Sequence, residues 1–159
     1  MITHIKGNLL DFPNGITVIG HGCNTQGKMK SGIAKSIVEK WPKVAEADLY
    51  MFKHYNSLLG RVGLVLVNEE EAKETRTVAN LYQQSTTRTS HPDKKVHLKY
   101  SALVSALTTL RDIYLGTGTH FGFPKFMGCG LAGGDWHVVE TLIDEIFENE
   151  QVTIVEYIP

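Results

Sequence analysis

The chain has 159 residues, 42% hydrophobic and 21% charged, which suits one globular domain able to bury a core. Sixteen basic and 17 acidic residues give a formal net charge of −1, so bulk charge offers no reason to expect nucleic acid or an anionic membrane surface as a partner. No apolar run approaches the roughly 18 residues that would suggest a membrane span. The opening Met1 to Lys6 is no secretory signal, and a cytoplasmic protein is expected.

Ile2 to Lys6 reads as a first strand, closed by Gly7-Asn8 and a turn around Pro13-Asn14-Gly15. Gly15 to Gly20 reads as a short second strand rich in β-branched residues, followed by a glycine-bearing loop from His21 onward. Gly32 to Trp41 predicts a helix, with Ile33, Ile37 and Trp41 on one face. Pro42 opens another through Val44, Ala47, Met51 and Tyr55. Gly60 to Val67 is a candidate buried strand and Arg76 to Tyr82 a further one, with Glu69-Glu70-Glu71 a solvated turn between them. Residues 83–95 form a polar loop of functional length. A long helix is predicted from His97 to Leu115, turning Leu103, Leu107, Leu110 and Tyr114 inward. His120 to Phe123 is a short strand, Asp135 a plausible N-cap for a helix burying Trp136, Val139, Leu142, Ile143 and Ile146, and Gln151 to Ile158 a closing strand. No linker, repeat or low-complexity tract divides the chain. Alternating strands and helices predict one α/β domain, residues 1–159, with helices on both faces of a mainly parallel sheet.

Two glycine loops, 20–32 and 128–134, therefore each join a strand to a helix. Glycine lets backbone N–H groups approach a ligand closely, and a helix start adds unpaired N–H groups with a positive dipole end. Such loops gather at the carboxyl edge of a sheet and suit a phosphate or diphosphate; the plain alternative is a pair of tight corners. Neither loop fits GxxxxGK[ST] or GxGxxG. Cys23 and Cys129 are the only cysteines, too few for a disulfide framework and without a second ligand at zinc spacing, so small packing residues are expected. His21, ahead of the first loop, is either a satisfied structural histidine or a proton-transfer group acting near neutral pH. Lys28 and Lys30 raise the local positive potential or are simply solvated.

Gly7-Asn8-Leu9 after the first strand, the loop ending Ser31-Gly32-Ile33-Ala34, and Pro124…Gly128-Cys129-Gly130-Leu131…Trp136 together resemble the macrodomain family. The resemblance runs from about Ile5 to Tyr157 and implies a three-layer α/β/α fold with a mixed central sheet that binds ADP-ribose. It implies that Asn24 with Ser31, Gly32, Ile33 and Ala34 holds the distal ribose and diphosphate. Gly128, Cys129, Gly130, Leu131, Ala132 and Gly133 would cradle the diphosphate from the other side. Asn8, with Leu9, stands where the family usually has an adenine-binding aspartate, and Tyr157 where an aromatic lies beside the adenine.

Within the family the chain resembles the branch of ADP-ribose-1''-phosphate phosphatases and terminal ADP-ribose protein glycohydrolase. The glycohydrolase pattern has a lysine in the polar loop and an aspartate after Gly-Cys-Gly-Leu. Here that loop reads Ser85-Thr86-Thr87-Arg88-Thr89-Ser90-His91, and Ala132 replaces the aspartate. His21-Gly22-Cys23-Asn24 instead matches the phosphatase's His-Ser-Cys-Asn. The resemblance thus implies hydrolysis of ADP-ribose-1''-phosphate, with His21 catalytic, Asp135 a second candidate or merely a helix cap, and Arg88 and His91 candidates for a terminal phosphate. Removal of ADP-ribose from protein or nucleic acid, or non-catalytic reading of ADP-ribose, are the alternatives. No cofactor or metal and no membrane or nucleic-acid partner is expected; the expected ligand is ADP-ribose or its 1''-phosphate, and the expected state a monomer.

Overall fold

The computed structural model describes residues 2–30, 32–68, 73–85, 96–130 and 132–159. Its strands are β1 (Ile2–Gly7), β2 (Val18–Asn24), β3 (Val62–Leu66), β4 (Thr77–Gln84), β5 (His120–Pro124) and β6 (Gln151–Tyr157). Its helices are α1 (Gly32–Lys40), α2 (Lys43–His54), α3 (Tyr100–Ile113) and α4 (Trp136–Ile146). All six strands join one sheet in the order β1-β6-β5-β2-β4-β3. Every neighbouring pair is parallel except β3 with β4. The sheet is mixed, as expected, with an antiparallel edge.

Each face of the sheet carries its own core. Leu103, Leu107 and Leu110 of α3 and Val139 and Ile143 of α4 pack on Ala79, Leu81, Phe121, Phe123 and Ile154. Ile37 of α1 and Val44 of α2 pack on Ile19, Val78, Tyr82 and Val155 of the opposite face. The three α3 leucines recur at helical spacing and are fully buried, each stabilising the fold by roughly 1.5–3 kcal/mol relative to exposure. Asp135 caps α4 as expected, its Oδ1 accepting from the His137 N–H at 2.9 Å.

Three expectations are corrected. β2 runs from Val18 to Asn24, so His21, Gly22, Cys23 and Asn24 lie in the strand and not in a loop. Its glycines answer to neighbouring side chains: a Cβ on Gly20 would sit 2.6 Å from Phe123, and one on Gly22 would sit 2.0 Å from Gln83. Glycine inside a strand often marks such close approach. β4 likewise continues through Gln83 and Gln84, which sequence placed in the polar loop. β3 is a half-exposed edge, not a buried strand, with Leu64 and Leu66 turned outward. Glu69, Glu70 and Glu71 lie outside the described residues. No helix among the described residues is long and apolar enough to cross a membrane.

Candidate functional site

Because β1, β6, β5, β2 and β4 run the same way, their carboxyl ends share one edge, and a cleft of about 530 Å³ opens along it. Asn8 stands at one end beyond β1, followed by Val155 and Tyr157 of β6 and Pro124 of β5. Gly22 to Asn24 of β2 and then Gln83 and Gln84 of β4 complete the row. Five adjacent strands at their usual spacing make the cleft about 19 Å long. One wall is Lys28, Met29, Lys30 and the first turn of α1; the other is the loop after β5. Volume and shape suit an elongated small molecule.

The wall charges have one sign. Lys28, Lys30 and Lys125 line the cleft, and no aspartate or glutamate among the described residues does. Lys125 is partly offset by Glu156 at 3.4 Å. The start of α1 adds its dipole to the lysines. A chain with a net charge of −1 has thus placed a positive potential in this groove.

Many of the expected binding residues meet here. Asn8, Leu9, Asn24, Gly32, Ile33, Ala34, Gly128, Gly130, Ala132 and Tyr157 all line the cleft, whereas Cys129 and Gly133 do not. Gly133 closes a turn through its N–H to the Gly130 carbonyl. Cys129 is half-buried, its Sγ set against the Met127 carbonyl and its thiol pushed up to about 11, chiefly by burial. Ser31, Leu131, Arg88 and His91 lie outside the described residues. Asn8 spends one lone pair of Oδ1 on the Leu10 N–H at 3.0 Å, leaving its amide group and a second lone pair. Asn24 is more fully engaged: its Nδ2 donates to the Lys28 carbonyl and its Oδ1 accepts from the Gln26 N–H, so it shapes the turn after β2.

The two catalytic candidates that are described lie elsewhere. Asp135 is exposed and occupied as the α4 cap, and it does not line the cleft. The ring of His21 is fully buried beneath the cleft floor on the α1–α2 face, with Nε2 paired to Asn80 Oδ1 at 2.7 Å. Burial holds this histidine down to about 4, against an ordinary 6.5, so it stays neutral. A substrate atom cannot reach it. Mid-strand position in a sheet covered on both faces is the physical reason.

Cys23 above it does line the cleft, with Sγ 3.6 Å from His21 Nε2. Cys, His and Asn are the residue types of an activated thiol. Their protonation is wrong for it: burial, and then the nearby Asp48 carboxyl, raise the thiol well above its ordinary value while His21 is lowered. Both shifts oppose proton transfer from sulfur to imidazole, and Cys23 is a packing residue. Asp48 is itself raised by burial, opposed by the Tyr82 hydroxyl that donates to its Oδ1 at 2.7 Å.

Sequence reasoning missed Gln83, Lys125 and Phe126. Two glutamines directly after the apolar pair Leu81-Tyr82 were the available signal for Gln83. Phe126 adopts a left-handed φ of 67° and is exposed at the rim, edge-on to Trp136. Strain of that kind in a bulky residue collects at functional loops.

No protein-family model matches the chain. An uncharacterised 17.5 kDa protein of Enterobacteria phage T4 is 25% identical over 170 residues, 100% of this chain and 98% of that one. The ADP-ribose 1''-phosphate phosphatase of Saccharomyces cerevisiae is 25% identical over 174 residues, 96% of this chain and 97% of that one. A structure of unknown function from Bacteroides thetaiotaomicron superposes with a TM-score of 0.82 at 28% identity, covering 98% of each chain. The macrodomain of Mycobacterium tuberculosis DarG superposes with a TM-score of 0.77 at 21% identity, covering 100% of this chain and 98% of that one. This chain has the macrodomain fold. The three-layer arrangement expected from the sequence is the one observed. Another protein with this macrodomain fold, Thermosipho africanus DarTG, was solved in complex with ADP-ribose. It matches with a TM-score of 0.75 at 18% identity, over 99% of this chain and 41% of that one.

Proposed function

We propose that this macrodomain binds ADP-ribose along the cleft and removes the phosphate from ADP-ribose-1''-phosphate. The reading rests on one observation: a groove along five strand ends lined by three lysines and, among the described residues, by no carboxylate. The adenosine end lies by Asn8 and Tyr157, the diphosphate between α1 and the loop after β5, and the distal ribose by β2 and β4. The name of the yeast relative and the ligand of the DarTG complex support the same assignment.

In the proposed reaction water attacks the phosphorus, the bond from phosphorus to the 1''-oxygen breaks, and ADP-ribose leaves with its anomeric hydroxyl restored. Charge develops on the phosphoryl oxygens, where ammonium groups and N–H groups stabilise it. Lys28 and Lys30 stand on the wall following β2 and supply that charge. His21 and Asp135 take no part in this scheme, because neither lines the cleft.

That same placement favours a second reading, a binder of ADP-ribose that performs no chemistry. Incubating the protein with ADP-ribose-1''-phosphate and measuring free phosphate separates the two, beside calorimetric titration with ADP-ribose. One site per chain and catalytic phosphate release are expected. Binding without release makes the protein a reader; release of ADP-ribose from modified protein instead would make it an ADP-ribosyl hydrolase. Absence of binding overturns the assignment of the cleft.

A further inference from the structure

The far end of the cleft, away from Asn8, is closed by the side chain of Gln83. It is fully buried, it lines the cleft, and neither its Oε1 nor its Nε2 has a hydrogen-bond partner. Its placement is built in from several sides. Opposite it the β2–β4 register shifts, Cys23 facing Tyr82 and Asn24 facing Gln84, so Gln83 has no residue across from it. Register irregularities of this kind re-aim side chains beside functional sites. A Cβ on Gly22 would lie 2.0 Å from Gln83 Nε2, and one on Gly128 would lie 2.8 Å from the same atom. Two glycines from different loops and strands thus leave a slot that the carboxamide fills. The Gln83 carbonyl accepts from the Lys99 N–H at 2.8 Å, which pins the backbone.

Each unpaired buried polar atom costs a fold about 1–3 kcal/mol, and folded proteins leave few. Neighbouring side chains do not relieve it. Asn24, a further amide on this part of the floor, already uses both ends on its own turn. What remains is the cleft, which Gln83 lines and His21 does not.

We propose that Gln83 is the residue that reads the distal sugar of the bound nucleotide, by accepting from and donating to its hydroxyl groups. This rests on the reading of the cleft given above. A carboxamide presents a donor and an acceptor side by side, and a hydroxyl can answer both. An ionised phosphate only accepts, so it satisfies Nε2 and is repelled by Oε1. The division of labour follows: lysines and N–H groups take the phosphates, and Gln83 takes the sugar. It sets preference for a nucleoside diphosphate carrying a second sugar over the same nucleotide without one.

The test compares ADP-ribose with ADP, which lacks the distal sugar, by calorimetric titration of wild type and of Gln83→Met, with Gln83→Leu as a second variant of different shape. Both substitutions remove the polar atoms while keeping an apolar side chain of similar bulk. ADP-ribose affinity should fall about 10- to 100-fold, as expected for one or two lost hydrogen bonds, while ADP affinity stays within about 2-fold. The ligand-free melting temperature of at least one variant should equal or exceed wild type, because two unpaired buried atoms are gone. Equal losses for both ligands, or no loss for ADP-ribose, would overturn the role of Gln83 and leave the cleft assignment intact. Wild type binding neither ligand would overturn the cleft assignment itself.

Discussion

Replacing His21 by alanine should cost stability and spare the ligand. The ring is fully buried and paired to Asn80 Oδ1 at 2.7 Å. Truncation leaves a cavity and takes away the partner of Asn80 Oδ1. For an aromatic-sized side chain the expected loss is about 3 kcal/mol near neutral pH. The loss is also pH-dependent, with a defined sign. Burial depresses the folded value of His21 to about 4 from an ordinary 6.5, so below 6.5 the unfolded chain binds the proton first. Stability from this group is present above 6.5 and is lost as pH falls toward 4. Between about pH 7.5 and about pH 5 that loss is about 2 kcal/mol in wild type and zero in His21→Ala. At roughly 2–4 °C per kcal/mol for a chain of this size, the melting-temperature gap should narrow by about 4–8 °C on going to pH 5. Scanning calorimetry at the two pH values reads it, with ADP-ribose titration and phosphate release measured on the same preparation. A gap that does not change with pH would refute the burial argument. A folded, ligand-binding variant with turnover reduced about 100-fold or more would return His21 to the chemistry.

Gly130→Val should fold normally, because a Cβ there meets no atom within 4 Å and its φ is not left-handed, yet its branched side chain intrudes on the ligand path. ADP-ribose affinity should fall at least about 10-fold with stability changed by less than about 0.5 kcal/mol; calorimetry showing unchanged affinity would remove the loop from the site. Tyr82→Phe deletes the 2.7 Å donor to Asp48 and should cost about 2 kcal/mol near neutral pH. Asp48 is already raised in the fold, and losing this donor raises it further, so the penalty should grow as pH rises and shrink in acid; denaturant melts at about pH 4 and about pH 8 check the sign. Lys28→Ala combined with Lys30→Ala should weaken ADP-ribose several-fold at low salt and flatten its salt dependence. Parallel salt slopes would show that these lysines act outside the ligand's field.

Periodicity carried most of the fold, and distance along the chain hid the rest. The spacing of Leu103, Leu107 and Leu110 and of Val139 and Ile143 is a local signal, as is Asp135 two residues before the N–H it caps. His21 was misplaced because its partner Asn80 is 59 residues away and because it stands between Gly20 and Gly22, residues that usually punctuate loops. Gly20 and Gly22 are glycine on account of Phe123 and Gln83, which lie on other strands. Gln83 and Gln84 looked like the start of a polar loop because polar residues rarely close a central strand; only the cleft above them explains the pattern. Leu64 and Leu66 gave β3 an unbroken apolar reading although both face outward at an edge. The residue types of the cleft were legible, and the separation of its lining from the buried scaffold beneath was not.

That division follows from β2 and β4 having two faces. Toward α1 and α2 the pair carries His21, Cys23, Asn80 and Tyr82, packed over Asp48 and held neutral by burial. Toward α3 and α4 it carries Gly20 and Gly22, which admit Phe123 and the Gln83 carboxamide. Successive strand residues alternate between the two, so a single step along the chain exchanges one set of neighbours for the other. His21-Gly22 is that step: the imidazole goes down into a polar cluster that joins neighbouring strands, while the missing side chain beside it opens the slot for the amide. His21 is therefore separated from the cleft by Cys23, which stands above it on the same face, and its hydrogen bond to Asn80 helps keep the floor in place.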